Sequence, residues 1–522
     1  MITLTYILAA VILLGLCIFI HELGHLLGGK MVGIKAKVFS IGYGKGVLKK
    51  KIGETTYQVT LIPFGGFCQF YGEDPSEKRE GKGYEFLSAS PLRRVVTVLM
   101  GPLFNLFFGI LLFFAMNLIG YSTETNQVTI PTYLREGSYI SPAYKAGIQD
   151  KDRIIEINGY KIVNFFDIRS RIMFSEGKQT AIKVERDGKT LSYNITPQKY
   201  GEKDHYTIGV MPYGERILVV GALKEDVAAR AGIEQYDEIK SVNGTKVTSA
   251  KEFTEVVRAN PGKELNLEII RANKQMNVSV TPRVREILSI RQFEDGRFKN
   301  EKFEVVIDKM DIVKKAINKK KLKINDKAVA SFDQFKKMLS DNKDKVIRLS
   351  NSGGNYNGVI SYDSFGFIGV ETAVSPDMKE VKYGVISGFW RALVEPYYFV
   401  VMNIKGMGMM FSGQLDVREN LSGPLKIAKI AGDVAYYKGV SAFILLMAQI
   451  SIILMVMNLL PIPVVDGSFI LFFLYEAIRG KPINEKIMQK IQYVGMGLLI
   501  AMGVFVIFND LSFFPFFQKL FN

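Results

Sequence analysis

The chain has 522 residues, 48% of them hydrophobic, and a formal net charge of +16 at pH 7. This length predicts several domains, and the hydrophobic fraction is high for a wholly soluble protein. The lysines form no basic run interleaved with aromatics, which argues against nucleic-acid binding and favours contact with a membrane surface. The two cysteines, Cys17 and Cys68, make no CxxC pair, so neither a disulfide framework nor a thiolate zinc site is indicated.

The first apolar segment, from about Leu4 to Leu27, contains the motif His21-Glu22-Leu23-Gly24-His25. On a helix, positions i and i+4 share one face, so both imidazoles can bind one metal ion. Glu22 can then act as general base toward a water that the metal activates. Two of the chain's three histidines lie here, in a segment where charged groups are costly and usually functional. The alternative is a polar patch at the end of an anchor helix.

This segment has no Lys or Arg before Lys30 and no cleavage site of small residues, so we expect a retained transmembrane helix rather than a signal peptide. The lysines from Lys30 to Lys51 predict a cytoplasmic loop and an external N-terminus. Further spans are predicted at about 95–121, 440–460 and 491–508. Residues 384–411 are apolar but interrupted by charges, so they could span the bilayer or lie in its interface as an amphipathic helix.

Residues 34–72 have the pattern of short strands separated by glycines. The glycines that we single out are Gly42, Gly44, Gly65 and Gly66. Non-helical backbone at membrane depth requires cover by protein or a water-filled cavity. Such a glycine-rich edge could pair with an extended substrate strand; the alternative is an ordinary cytoplasmic hairpin.

The charged region from 122 to about 380 contains an internal repeat. Ala146-Gly147-Ile148 recurs as Ala231-Gly232-Ile233, and at the same offset Asn158-Gly159 recurs as Asn243-Gly244. This pattern resembles PDZ domains. A fainter third copy, around Ile324-Asn325-Asp326, lacks the Ala-Gly-Ile element, and we interpret it as a degenerate PDZ-like module.

A third metal ligand is needed, because catalytic zinc commonly has three protein ligands and one open position. The candidate is Asp466, which follows Asn458 and the helix-breaking Pro461 and Pro463. If 384–411 does not cross the bilayer, the count of spans puts Asp466 at the cytoplasmic depth of the histidines, and the lysines after Gly480 favour that count. The alternative for Asp466 is a capping or turn role.

The mechanism predicted from these residues is hydrolysis of a peptide bond. Glu22 would take a proton from the attacking water and pass it to the leaving amide nitrogen. Asn105, a polar residue in the second span, or Asn458 could hydrogen-bond the developing oxyanion or hold the substrate backbone. A substrate helix must unwind first, and the glycine-rich strands are the expected place to hold it extended.

Together these motifs resemble the site-2 protease family of intramembrane zinc metalloproteases, of the bacterial regulator-of-sigma-E protease type. The motifs that carry the resemblance are His21-Glu22-x-x-His25, Phe39-Ser40-Ile41-Gly42-Tyr43-Gly44, Pro63-Phe64-Gly65-Gly66, Gly101-Pro102-x-x-Asn105, the paired PDZ-like repeats, Leu421-Ser422-Gly423-Pro424 and Asn458-x-x-Pro461-x-Pro463-x-x-Asp466-Gly467. Two departures stand out: Asp466-Gly467-Ser468 replaces the usual Asp-Gly-Gly, and the region from about 284 to 380 is longer than expected.

The ligand count predicts about one zinc ion per chain, and the resemblance implies a zinc enzyme with four transmembrane helices in the bacterial cytoplasmic (inner) membrane. It also implies that the substrates are single-span membrane proteins already trimmed by another protease, such as anti-sigma factors, and perhaps remnant signal peptides. The PDZ pair would filter substrates by size, and the β region would be membrane-reentrant. The rival functions are a membrane-anchored PDZ scaffold or chaperone with an inactive metal site, and a metal transporter.

The predicted fold is therefore a polytopic α-helical membrane protein with a membrane-associated β region and extracytoplasmic PDZ-like α+β domains. The predicted bounds are helix 1 with the zinc motif at 1–33, the reentrant β region at 34–72, a cytoplasmic loop and helix 2 at 73–121, PDZ-like modules at 122–200, 201–285 and 286–380, an interfacial helix and linker at 381–439, and helices 3 and 4 with the third ligand at 440–522. No nucleic-acid partner is expected.

Overall fold

The computed structural model describes residues 2–512 except 75–77, 132–133, 136–139, 200–205, 224–225, 273, 295–296, 299–303, 308–316, 319–321, 343–344, 352–353 and 414–422. Leu421 and Ser422 of one predicted motif therefore lie outside the described residues, as does the predicted tail after Ser512.

The described helices, in chain order, are α1 Ile2–Met31, α2 Pro91–Ile119, α3 Pro142–Ala146, α4 Phe165–Phe174, α5 Val227–Arg230, α6 Ala250–Ala259, α7 Phe332–Asp341, α8 Val385–Phe411, α9 Pro424–Asp433, α10 Gly439–Leu459, α11 Asp466–Arg479 and α12 Glu485–Ser512. The described strands are β1 Ala36–Ile52, β2 Thr55–Phe70, β3 Tyr121–Glu124, β4 Val128–Thr129, β5 Arg153–Ile157, β6 Tyr160–Lys161, β7 Thr180–Arg186, β8 Lys189–Ile195, β9 Gln198–Lys199, β10 Tyr206–Thr207, β11 Met211–Pro212, β12 Arg216–Ala222, β13 Glu238–Val242, β14 Thr245–Lys246, β15 Leu265–Arg271, β16 Lys274–Val280, β17 Arg283–Glu294, β18 Arg297–Phe298, β19 Glu304–Ile307, β20 Lys323–Ile324, β21 Lys327–Ala328, β22 Val346–Asn351, β23 Gly354–Phe367, β24 Val370–Ser375 and β25 Met378–Val381.

Four helical stretches in the described residues are long and apolar enough to cross a membrane: Leu4–Met31, Pro91–Ile119, Pro424–Leu459 and Ile487–Asp510. The predicted number of spans is therefore confirmed. The third stretch begins earlier than predicted, because α9, a π-helical turn at Val434–Lys438 and α10 follow one another without a break. The helix α8 is not among the four, and its place in the interface stays a prediction.

The chain divides into two compact units, one formed by Met1–Tyr213 with Met378–Asn522 and the other by Gly214–Asp377. In the first unit, α1 and α2 cross very closely, because glycines occupy the crossing. A Cβ atom added at Gly24 would lie 2.3 Å from the carbonyl oxygen of Met100. Close backbone approach through small residues is the usual way that membrane helices pack.

The strands β1 and β2 form a hairpin that folds back on itself. Residues around Val38–Ile41 pair with Thr56–Val59 on one side and with Gly66–Gln69 on the other. Thr56–Val59 pairs in turn with Leu48–Lys51, so the segment 66–70 is an outer strand of a four-stranded arrangement. Phe39 and Phe70 of the hairpin belong to an apolar cluster that also includes Leu26 of α1 and Phe473 of α11. The hairpin is therefore fixed against the helices.

Residues 121–213 of the first unit form an α+β group around a four-stranded sheet of order β6-β5-β7-β8. Ile208 is 1% exposed and belongs to the same apolar core as Ile154 and Ile182. Moreover, β11 pairs with β4. This group therefore extends to about residue 212, beyond the predicted boundary at 200.

The second unit differs from the predicted succession of modules. The sheet that contains β12, β13, β15 and β16 is completed by β24, which pairs with β12. Ile368 lies in the same core as Ile217 and Ile239. The segment 283–367, with its own sheet and the core around Phe335, is thus inserted between two parts of one sheet. The sequence pattern did not reveal this, because the pairing joins residues more than a hundred positions apart.

One local geometry recurs in all three groups. Asn158, Asn243 and Asn325 each have a positive φ. Their side-chain oxygens accept hydrogen bonds of 2.8 Å from the backbone N–H groups of Ala181, Asn266 and Arg348. Asparagine tolerates this left-handed conformation in tight turns. The assignment of the three groups as PDZ-like stays a prediction.

Candidate metal centre and catalytic cavity

The two histidines of the sequence motif face each other on α1. Their Nε2 atoms are 3.1 Å apart, and the imidazole ring of His21 lies edge-on to that of His25. This arrangement follows from the helix, since residues four apart lie on one face. Two nitrogen lone pairs aimed at one point, in a buried setting, are suited to a shared cation.

A carboxylate from the far end of the chain reaches the same point. Oδ2 of Asp466 lies 3.2 Å from Nε2 of His21 and 3.5 Å from Nε2 of His25. This oxygen is buried and accepts no well-formed hydrogen bond from a described donor. In a tetrahedral zinc site with bonds of about 2.0–2.2 Å, ligand atoms lie about 3.3 Å from one another. The donor set and its spacing therefore fit zinc.

The turn between α10 and α11 brings Asp466 to the histidines. Pro461 and Pro463 end α10, since proline lacks the N–H that a helix needs, and Val464 adopts a φ of +83°. A Cβ added at Gly467 would lie 2.3 Å from the carbonyl oxygen of Leu460, so only glycine permits this tight turn. Asp466 is then the first residue of α11.

A buried ion pair anchors α11 to α2. Nη2 of Arg94 donates a 2.6 Å hydrogen bond to Oε1 of Glu476, and the guanidinium group lies 4.6 Å from the ring centroid of Phe473. Both charged side chains are largely shielded from solvent. The position of Asp466 thus depends on packing at the other end of its own helix.

Hydrogen bonds from neighbouring helices orient the two imidazoles. Nδ1 of His25 lies 3.1 Å from the carbonyl oxygen of Thr97, and donation to that oxygen leaves Nε2 free as a ligand. The side-chain amide of Asn105 lies 3.3 Å from Nδ1 of His21, and Ser451 holds Asn105 by donating to its backbone oxygen at 2.8 Å. The amide of Asn458 lies 3.5 Å from Nε2 of His21. Both predicted asparagines therefore lie beside the histidines.

The predicted glycines have different surroundings. Gly66 faces the site, because a Cβ there would lie 3.3 Å from Cγ of Glu22. Gly65 has a φ of +112° and packs against the ring of Tyr43. Gly42 and Gly44 also have positive φ and shape the hairpin, but no described contact joins them to the histidines. Pro461 and Pro463 act through the turn described above.

A cavity of about 490 Å³ opens onto this centre. Its lining includes His21, Glu22, His25 and Asp466 on one side and Phe67 and Cys68 of the outer strand of the hairpin on another. Glu22 is thus in the same space as the three converging ligand atoms. A cavity of this size, in which apolar side chains surround a cluster of converging polar groups, is typical of a binding site.

The sequence prediction missed five polar residues that line this cavity: Glu73, Asp74, Gln489, Gln492 and Tyr493. The last three come from α12. The available signal was that Gln492 and Tyr493 fall within the predicted span 491–508, because polar side chains in a membrane helix are costly; Gln489 precedes that span. Desolvation by surrounding protein raises the pKa of Glu73 to about 6, although its backbone partner, the N–H of Phe70, favours the ionised form.

Four spans and a His-His-Asp cluster with an adjacent glutamate define the class of membrane-embedded metallopeptidases. The comparisons with known proteins agree. Residues 9–502 match the model of Peptidase family M50, and the chain belongs to that family. It is a zinc-dependent protease and a multi-pass membrane protein.

Relatives of nearly equal length share about a quarter of their residues with this chain. The zinc metalloprotease RasP of Geobacillus kaustophilus is 25% identical over 98% of this chain and 98% of its own. The regulator of sigma-E protease RseP of Escherichia coli is 25% identical over 96% of this chain and 97% of its own. The regulator of sigma E protease of Haemophilus influenzae is likewise 25% identical, over 96% and 97%.

Proposed function

We propose that this protease cleaves single-span membrane proteins within the bilayer, as a step of regulated intramembrane proteolysis. The observation that carries the proposal is the convergence of His21, His25 and Asp466 beside Glu22 on helices apolar enough to span a membrane. The names of the relatives, which include regulators of sigma E, support a regulatory role.

His21, His25 and Asp466 are the proposed ligands of one zinc ion per chain. Bound zinc supplies Lewis acidity toward the scissile carbonyl and makes water nucleophilic near neutral pH. The carbonyl oxygen of Thr97 accepts from Nδ1–H of His25 and so fixes the tautomer whose Nε2 can bind a metal. The side-chain amide of Asn105 lies against Nδ1 of His21, and with its oxygen turned toward Nδ1–H it would do the same for His21. The ligand set therefore needs little rearrangement to bind.

Glu22 is the proposed general base and acid. It lines the cavity next to His21, so its carboxylate can accept the proton of the attacking water and donate it to the leaving amide nitrogen. Asn105 and Asn458 are the proposed amide donors near His21. Asn458 is the better oriented of the two toward substrate, since its contact is with Nε2, the atom that faces Asp466. Donors of this kind stabilise a developing oxyanion.

The outer strand 66–70 is the proposed binding edge for the substrate backbone. It pairs on one side with β1, and Phe67, Cys68 and Phe70 line the cavity. A free strand edge binds an extended peptide through main-chain hydrogen bonds. A transmembrane substrate would therefore be held unwound, with its amide groups paired to the hairpin.

We place the protein in the bacterial cytoplasmic membrane, with both termini and the α+β groups outside and the metal centre toward the cytoplasmic side. The lysines between Lys30 and Lys51 and those after Gly480 support this orientation. The proposed substrates are anti-sigma-factor-like proteins already trimmed by another protease, and remnant signal peptides. The α+β groups would exclude untrimmed chains by size.

Substitution of Glu22 by Gln tests this function. The purified Glu22→Gln protein should lose cleavage of a single-span reporter while retaining about one zinc per chain, because the amide cannot accept the proton but leaves the ligands in place. Glu54→Gln is the matched control, since Glu54 is exposed near the tip of the hairpin. Full cleavage by Glu22→Gln would eliminate Glu22 as the base.

The rival function, a PDZ scaffold or chaperone with an inactive metal site, makes the opposite prediction. It requires no cleavage by the wild-type protein and no zinc dependence. The complete set of His21, Glu22, His25 and Asp466 in one cavity argues against it. Expression of Glu22→Gln in the native host, with identification of the membrane proteins that accumulate uncut, would name the substrates.

A further inference from the structure

The wall of the catalytic cavity formed by α12 carries an amide side chain that the proposed mechanism does not use. Gln489, Gln492 and Tyr493 line the cavity on one face of a helix whose stretch Ile487–Asp510 is apolar enough to cross a membrane. An amide in such a span is costly unless it is paired or functional. Gln492 is the one of the three whose surroundings define its orientation.

Gln492 is anchored at one end. Its Nε2 donates a 3.4 Å hydrogen bond to Oγ of Ser468, and Ser468 in turn donates a 2.9 Å bond to the carbonyl oxygen of Val465. Ser468 is the residue that replaces the second glycine of the usual Asp-Gly-Gly. The anchor of Gln492 thus lies two residues from Asp466.

The helix that carries Gln492 is also fixed in position. A Cβ added at Gly495 would lie 2.1 Å from Cβ of Pro463, so α12 packs directly on the turn that leads to Asp466. Gly495 lies one turn after Gln492 on the same face. The distance of Gln492 from the metal centre is therefore set by backbone packing.

The other end of the amide has no partner in the described part of the protein. Oε1 of Gln492 is buried and receives no hydrogen bond from a described group. A glutamine amide offers one acceptor and two N–H donors. With one N–H directed to Ser468, the oxygen and the second N–H of the amide remain. A backbone peptide group has one N–H donor and one C=O acceptor, which can pair with these two groups.

We propose that Gln492 binds a backbone peptide group of the substrate strand in the catalytic cavity, on the α12 wall. The substrate strand would pair with the hairpin edge 66–70 through its main chain and with Gln492 through one peptide group. Gln492 thereby fixes the register of the strand and so the bond that is cut. This inference rests on the proposed peptidase function and adds a substrate-binding residue to it.

The test uses full-length protein in detergent with an internally quenched apolar peptide substrate. Gln492→Met keeps the length of the side chain but removes its hydrogen-bonding groups. We expect KM to rise about five- to tenfold, as for one lost hydrogen bond, with kcat changed less than about twofold because uniform binding is lost. Zinc content should be unchanged. Gln449→Met on α10, which does not line the cavity, is the matched control and should leave KM unaltered.

A second measurement separates substrate contact from helix packing. In a series of substrates, single backbone N–H groups near the scissile bond are replaced by ester oxygens. In the wild-type protein the ester at the position facing Gln492 should raise KM about five- to tenfold, and in Gln492→Met the same ester should cost nothing further. Equal costs in both proteins would overturn the inference, as would an unchanged KM in Gln492→Met.

If Gln492→Met does not fold, Gln492→Asn replaces it. This variant retains an amide that is one methylene too short, and it should show the same rise in KM. A fall in thermal stability with KM unchanged would assign Gln492 to packing against Ser468 only and would refute the contact. The outcome is separable from that of Glu22→Gln: retained cleavage there eliminates Glu22 as the base, whereas an unchanged KM here defeats only the role of Gln492.

Discussion

At the scale of single residues, the candidate metal centre depends on a glycine that bears no functional group. Gly101 lies on α2 where that helix crosses the motif on α1. A Cβ added at Gly101 would lie 2.3 Å from Cε1 and 2.4 Å from Nε2 of His25, and 3.0 Å from Cε1 of His21. Contacts this short cannot be accommodated without movement of an imidazole, and Thr97 and Asn105 hold both rings in place.

We therefore predict that Gly101→Ala lowers zinc affinity at least about tenfold, the range seen when ligand orientation is disturbed, and abolishes most cleavage. Zinc content by atomic absorption and reporter cleavage are the measurements. Gly503→Ala on α12 is the control, because nothing lies within 4 Å of a Cβ there. Wild-type zinc affinity in Gly101→Ala would show that the imidazoles can relocate.

At the scale of elements, α8 is tied to the first α+β group by a buried cluster of charges. Nη2 of Arg391 donates to Oδ1 of Asp167 at 2.9 Å, and its Nε donates to Oε1 of Glu395 at 3.0 Å. Asp167 lies in the first turn of α4. Further along the two helices, the ring of Phe174 packs on that of Tyr398. A cavity of about 800 Å³ lies between α4, the strand at Tyr206–Thr207 and the C-terminal half of α8.

Removal of Arg391 would leave two carboxylates buried without their partner. Arg391→Met should cost about 3–5 kcal/mol in the free energy of unfolding, the usual result of breaking a buried pair from one side. The measurement is the midpoint temperature of thermal unfolding, which should be lower in Arg391→Met than in the wild-type protein. The double neutralisation Asp167→Asn with Glu395→Gln in the Arg391→Met background should recover part of that loss, since no unpaired charge then remains.

The control for this prediction is an ion pair of the same type at the surface. Arg258 and Asp363 are 3.4 Å apart, and their side chains are 45% and 62% exposed. Pairs in this setting contribute about 1 kcal/mol or less, so Arg258→Met should leave the midpoint almost unchanged. Equal effects of the two substitutions would contradict a structural role for the Arg391 cluster.

At the scale of the whole molecule, the unit Gly214–Asp377 begins and ends at one place. Its first strand and its last, β12 and β24, are neighbours in one sheet, with Arg216 opposite Ser375. The N–H of Glu215 donates to Oδ1 of Asp377 at 3.2 Å. A unit with adjacent ends can be removed with a short linker in its place, since the flanking chain then has little distance to span.

We predict that replacement of 214–377 by a short Gly-Ser linker leaves a folded protein that binds zinc and cleaves a trimmed single-span reporter. If the α+β groups act as the size filter that the family resemblance implies, this shortened protein should also cleave the untrimmed reporter, which the full chain should refuse. Both reporters are compared by immunoblot. A shortened protein that retains zinc but cleaves neither reporter would assign unit 214–377 a role in catalysis itself.

The parts of this protein that could be predicted from the sequence are those set by short-range chemistry. The helical spacing of His21 and His25, the length of the four apolar spans and the helix-breaking Pro461 and Pro463 each depend on neighbouring residues. The match to Peptidase family M50 confirms the class that these motifs indicated. Asp466 was also predicted, because the number of membrane spans between it and the histidines determines on which side of the bilayer it lies.

Only the tertiary structure decided which residues without a motif share the cavity and how the strands pair. Gln492 and Glu73 enter the catalytic cavity through the packing of α12 and the hairpin, and no local pattern fixes that packing. Because β24 pairs with β12, the segment that forms a second sheet is inserted in the chain between two strands of the first sheet. The physical reason is the same in both cases: these contacts join residues far apart in the chain, and their free energy comes from burial and hydrogen bonds that exist only when the fold is complete.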